Sequence, residues 1–166
     1  MKRVWWLCWL VAPMLIAGLS ALSVAQDAMP PGFEHWTAAA MAPMVKTLSA
    51  KAAGDAHKSA TQRLGDFTNE YFLLAHREGD GQAEWHETEV DVFFVQSGAA
   101  TLVVGGTMPN AETTAPHEKR SGAIQGGTRQ KLTAGDIVRI PAKTAHQLLL
   151  EGGQEFTYFV VKVKGY

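Results

Sequence analysis

The chain has a single cysteine among its 166 residues, Cys8, and that one lies inside an apolar N-terminal run. Past it there is no thiol, which excludes disulfides, cysteine-ligated zinc knots and thiol nucleophiles from the rest of the chain. Charge of one sign is lacking too: 15 Lys and Arg stand against 16 Asp and Glu, a net charge of -1. Such a surface has no electrostatic footprint for nucleic acid or anionic lipid, so small molecules or proteins are the expected partners. There is no G-x-S-x-G elbow and no G-x-G-x-x-G after a strand, and "PAKT" lacks the glycine a phosphate loop needs before its lysine. His86 and Glu87 could open H-E-x-x-H, but Val90 stands where the second imidazole belongs.

What is present begins with a targeting pattern. Met1, Lys2 and Arg3 precede the apolar "VWWLCWLVAPMLIAGLSAL", which leads to the small-x-small site Ser23-Val24-Ala25. This predicts a secretory signal peptide over residues 1–25 and a secreted or periplasmic protein with no membrane association after cleavage. An uncleaved N-terminal anchor is the rival reading, since the run is about long enough to span a bilayer. Cleavage would remove Lys2, Arg3 and Cys8 and leave a more acidic domain of ordinary size.

Two patterns divide the remainder. In residues 26–66, Phe33, Trp36, Ala40, Met44 and Leu48 recur at helical spacing, with Pro43 expected to kink or break the helix and Gly54 to cap it. In residues 67–166 the period changes to two. Seven short β-branched and aromatic runs, from "EYFLLAHRE" to "FTYFVVKV", predict an antiparallel sandwich or small barrel. Residues 105–130 are rich in Gly, Thr and Pro and read as a long surface loop, with at most one short strand near residues 123–125.

Strand alternation then gathers polar groups on the inner face. Glu84 and His86 share a face; Asp91 shares one with Phe93 and Val95; His146 heads a face with Leu148 and Leu150. Burying such groups singly would cost several kcal/mol each, so they need a common partner.

These spacings resemble the cupin family. Glu84-x-His86, four residues, Asp91, six residues and Gly98 follow the intervals of its first motif, and Gly135, five residues, Pro141 and then His146 follow its second. The resemblance covers residues 71–163. It departs at Glu84, where the family has a His, at Asp91 for its Glu, at Lys143 for a Gly, at Leu150 for an Asn, and at Glu78 for the leading Gly. The resemblance implies an all-β, cupin-type double-stranded β-helix (a jelly-roll barrel) with an N-terminal helical segment. It implies a divalent transition metal (Mn, Fe, Ni, Co or Zn) held by His86, His146, Glu84 and Asp91. It also implies a small-molecule substrate, with Glu84 or Asp91 moving a proton, in a dioxygenase, isomerase or lyase type of reaction. The alternative to metal binding is a metal-free member, in which Glu84 and Asp91 pair with His86 and His146 as a buried hydrogen-bonded network. The alternative to catalysis is a non-catalytic binding or sensing module. Because cupins commonly pair through edge strands, a homodimer is expected through "FTYFVVKV", with Lys162 and Lys164 guarding an exposed edge. His76 is either a partner behind the ligands or an ordinary half-buried histidine. His117 reads as a solvated loop residue, and Trp85 as outward-facing.

Overall fold

A computed structural model describes residues 28–166. The expected signal peptide and Cys8 lie outside the described residues. Among the described residues, no helix is long and apolar enough to cross a membrane.

Among the described residues, one helix, α1 (Ala38–Gly54), precedes ten strands. They are β1 (Ser59–Asp66), β2 (Glu70–Arg77), β3 (Ala83–His86), β4 (Glu89–Val104) and β5 (Glu112–Ala115), then β6 (Glu118–Ser121), β7 (Thr128–Thr133), β8 (Ile137–Ile140), β9 (His146–Leu149) and β10 (Phe156–Lys164). Thr37 starts α1 by accepting the Ala40 N–H on its hydroxyl at 3.1 Å, which satisfies one of the free amides of the first turn. The helix runs on through Pro43, contrary to the expected break. Gly54 does not cap it from the left-handed region either; the cap is Asp55 in an extended conformation, its N–H bonded to Ala52 O at 3.1 Å. Phe33 and Trp36 lie ahead of the helix. Trp36 packs on Phe72 and Phe159, with ring centroids 5.0 and 5.9 Å away, so this segment covers the outer face of β2 and β10.

The strands form two sheets that share β4. In the first, β1, β2, β10, β4 and β8 pair in that order; in the second, β7, β4, β9, β3, β6 and β5 do. All pairs are antiparallel. Gly98 marks the point where β4 passes from one sheet to the other. Its φ is +79°, and a Cβ there would lie 1.8 Å from Glu155 O, so no other residue fits without moving the β10 backbone. Between the sheets, Phe93, Val95, Leu102, Leu132, Ile140, Leu148, Phe156, Tyr158 and Val160 form one buried cluster. Each large member contributes about 1.5–3 kcal/mol by leaving water.

Three expectations are corrected. Strand β1 occupies the last part of the segment expected to be helical. Its "SATQRLGD" carries few β-branched or aromatic residues; it pairs on one side only and none of its residues is fully buried. The stretch 105–130 is less loop than expected: β5 and β6 form a hairpin within it, and β6 pairs with β3. Finally, "FTYFVVKV" is not an edge. β10 is hydrogen-bonded to β2 on one side and β4 on the other, so it has no free edge through which a second copy could pair.

Candidate metal centre

The four expected residues meet at one end of the space between the sheets. Glu84 and His86 come from β3, Asp91 from β4, and His146 opens β9 directly opposite Glu84. His86, Asp91 and His146 are buried, while Glu84 keeps about a fifth of its side chain open to the cavity. Nε2 of His86 lies 3.5 Å from both Glu84 Oε2 and Asp91 Oδ2; Nε2 of His146 lies 3.4 Å from Asp91 Oδ2 and 3.9 Å from Glu84 Oε2. The sequence spacing thus translates into a real convergence of two nitrogens and two oxygens.

Hydrogen bonds behind the imidazoles set their tautomers. Nδ1 of His86 lies 2.7 and 2.6 Å from the two oxygens of Glu118, and Nδ1 of His146 lies 3.1 Å from Thr144 O. A carboxylate and a carbonyl can only accept, so each Nδ1 carries the proton and each Nε2 turns a lone pair inward. This is the orientation that metal-ligating histidines adopt. Nε2 of His146 is buried with no hydrogen-bond partner among the described residues.

Charge around the acids favours their ionised forms. Burial opposes ionisation of Glu84, but contacts with His86 and His146 and the charges of Arg120 and Lys162 hold it well below the usual carboxylate range. Burial likewise opposes ionisation of Asp91, and contacts with His146, His86 and Lys162 overcome it. Burial and the Lys162 charge disfavour protonation of His86, while Asp91 and Glu84 favour it.

The residues fit a small divalent cation. The four donor atoms all lie within 4.8 Å of one another. Around an ion with bonds of about 2.1 Å, tetrahedral ligand atoms stand about 3.4 Å apart. The observed 3.4–3.9 Å contacts need only slight tightening to match that spacing. Two imidazoles and two carboxylates suit Mn, Fe, Co, Ni or Zn.

Sequence reading missed a fifth member, Lys162. Its Nζ lies 2.7 Å from Nε2 of His86 and between both oxygens of Asp91, 2.6 Å from Oδ1 and 2.8 Å from Oδ2. Only the contact with Oδ2 has hydrogen-bond geometry. A single proton sits between Nζ and Nε2, because two would meet head on; His86 and Lys162 are therefore not both fully protonated in this arrangement. Lys162 is buried, not the exposed gatekeeper expected. The signal was available: Phe156, Tyr158, Val160 and Lys162 alternate onto one face, and the first three are core residues.

Glu118, Arg120 and Arg77 were missed as well. Glu118 and Arg120 lie on β6 opposite His86 and Glu84, in the stretch expected to be loop. Arg120 contacts Glu118 at 3.1 Å and Glu84 at 3.6 Å, while Arg77 donates to Tyr158 at 3.0 Å and lies 3.4 Å from Glu84. Above the cluster is a cavity of about 230 Å³ whose walls include Phe93, Leu148, Val160, Tyr158 and Gln82. Val95, which shares the inner face of β4 with Asp91, belongs to the packed core. His76 stands apart from the site on the outer face of β2, bonded to Thr157 at 2.8 Å. His117 is exposed and pairs with Glu87 at 2.7 Å, and Trp85 lies under the Lys119 ammonium.

No family model matches the chain, and no curated protein is similar to it in sequence. Solved structures do resemble it. A Klebsiella pneumoniae protein with a double-stranded β-helix domain is 18% identical, with a TM-score of 0.48 over 64% of this chain and 77% of the other. A sugar phosphate isomerase of the cupin superfamily from Silicibacter pomeroyi is 20% identical, with a TM-score of 0.45 over 64% and 59%. The polyketide cyclase RemF from Streptomyces resistomycificus is 17% identical, with a TM-score of 0.45 over 63% and 64%. The strand order, with β4 shared by two antiparallel sheets and the site residues gathered at one end, gives this chain the fold of a double-stranded β-helix.

Proposed function

We propose that this chain is an exported protein that holds one divalent transition metal ion on Glu84, His86, Asp91 and His146 and binds a small organic molecule in the cavity above it. One observation carries the reading: two buried imidazoles, each fixed by an Nδ1–H bond, turn bare Nε2 atoms toward two ionised carboxylates. Without a cation, that concentration of acceptors is expensive to bury.

A bound ion would supply Lewis acidity toward a substrate oxygen. The chain's own groups do the rest. Phe93, Leu148 and Val160 exclude water from one wall, and Gln82 and Tyr158 offer polar contacts for orientation. Glu84 is the acid open to the cavity, and Arg77 and Arg120 keep it ionised; where His86, Asp91 and His146 hold the ion without it, it is placed to accept a proton from a bound substrate. Asp91 is sealed beneath it and serves as a ligand. Metal content by mass spectrometry of wild type and His146→Ala tests this: stoichiometric metal in the first and a large loss in the second are expected. Negligible metal in both would end the metal reading.

A second reading has one specific observation behind it. Lys162 already gives Asp91 and His86 a cation, which supports a metal-free pocket that binds a ligand without turning it over. Thermal shift against a metabolite panel, with and without added metal, separates the two: metal-independent stabilisation without substrate loss favours this one. Export carries its own check, a mature N-terminus after Ala25.

A further inference from the structure

Lys162 and a divalent ion need the same atoms. The ammonium takes Nε2 of His86 and the carboxylate of Asp91, two of the four donors in the cluster, and leaves Nε2 of His146 without a partner. The choice is imposed by the ladder: Lys162 stands in register with Asp91 on β4 and with Tyr71 on β2, so its side chain rises directly beside the acid. Both cations cannot stay. A dication within about 4 Å of an ammonium is strongly repelled, and the low-dielectric cavity wall does little to screen it.

We infer that Lys162 is a built-in competitor for the metal: its ammonium neutralises the empty cluster and must swing away before an ion can bind. The inference rests on the metal reading above. A lysine suits the task, being a point charge on a flexible stem of four carbons, able to leave without moving the backbone. It also has somewhere to go. Glu89 lines the same cavity, and the hydroxyl of Tyr71, the ladder neighbour of Lys162, holds its carboxylate at 2.8 Å. The competitor keeps Asp91 from being a lone buried charge when no ion is present, and it lowers metal affinity in return. Weakly binding ions are then excluded, and those high in the divalent series are favoured.

The test is calorimetric titration of Mn, Co and Zn chlorides into chelator-treated protein, as wild type, Lys162→Met and Lys162→Gln. Both variants are expected to bind at least about tenfold more tightly than wild type, since a nearby positive charge is removed and every donor atom kept. Measurable wild-type binding with no gain in either variant overturns the competitor and leaves the metal reading standing. No binding by any of the three overturns both. Should the variants not fold, wild type alone decides: metal is expected to raise acetylation of Lys162 by acetic anhydride, which releases acetate, read by peptide mass spectrometry. Unchanged or reduced labelling at an ion concentration shown to bind overturns the inference.

Discussion

Lys162 and Asp91 face each other across β10 and β4, both buried, with Nζ 2.6 Å from Oδ1 and 2.8 Å from Oδ2. Each is the other's main reason for being tolerated inside the barrel. Removing one partner of such a pair strands the other charge, at a cost of about 3–5 kcal/mol. Asp91→Asn is therefore expected to destabilise the metal-free protein by that amount in urea unfolding. The double variant Asp91→Leu/Lys162→Met should recover most of the loss; a loss under about 1 kcal/mol in the single variant would show that the pair is not held as described.

His86 must present a free Nε2 to a metal, so its protonation competes with binding. Metal affinity is expected to rise with pH across the ordinary imidazole range, between about pH 5 and 8, in calorimetric titrations. A pH-independent affinity would show that the imidazole is not a ligand.

Glu118 fixes the His86 ring through Nδ1 at 2.6–2.7 Å. Glu118→Gln keeps the shape but lets the amide offer an N–H where an acceptor is needed. Metal affinity is expected to fall about 10–100-fold with little change in fold. Calorimetry and circular dichroism together check this; unaltered affinity would mean the bond behind the ring does not matter.

Lys143 has φ +62° and donates its N–H to His86 O at 2.7 Å. The left-handed backbone there is what a glycine would supply at no steric cost, and the cupin motif carries a glycine at this position. Lys143→Gly should stabilise the fold by about 0.5–1 kcal/mol, the relief of strain exceeding the extra freedom of the unfolded chain. Destabilisation on urea unfolding would contradict the strain.

How much of this was legible in the sequence follows from range. Alternation is a local property, and wherever a strand is half-buried it assigns faces correctly: Glu84 with His86, Asp91 with Phe93, His146 with Leu148. The motif spacings from Glu84 to Gly98 and from Gly135 to His146 added which strand ends meet. The same rule applied to "FTYFVVKV" would have turned Lys162 inward, but a lysine near the end of an apolar run is read as a guard on an edge.

The order of strands was beyond the sequence, because it depends on which backbones pair across long stretches of chain. That order put β10 between β2 and β4 and made Lys162 the neighbour of Asp91. It likewise brought β6 out of a Gly-rich stretch to set Glu118 behind His86. By itself the sequence determined the residue types and the face each occupies, since those depend on neighbours two positions away. Only the tertiary structure decided what stands opposite them, and in a low-dielectric interior the opposing charge governs the chemistry.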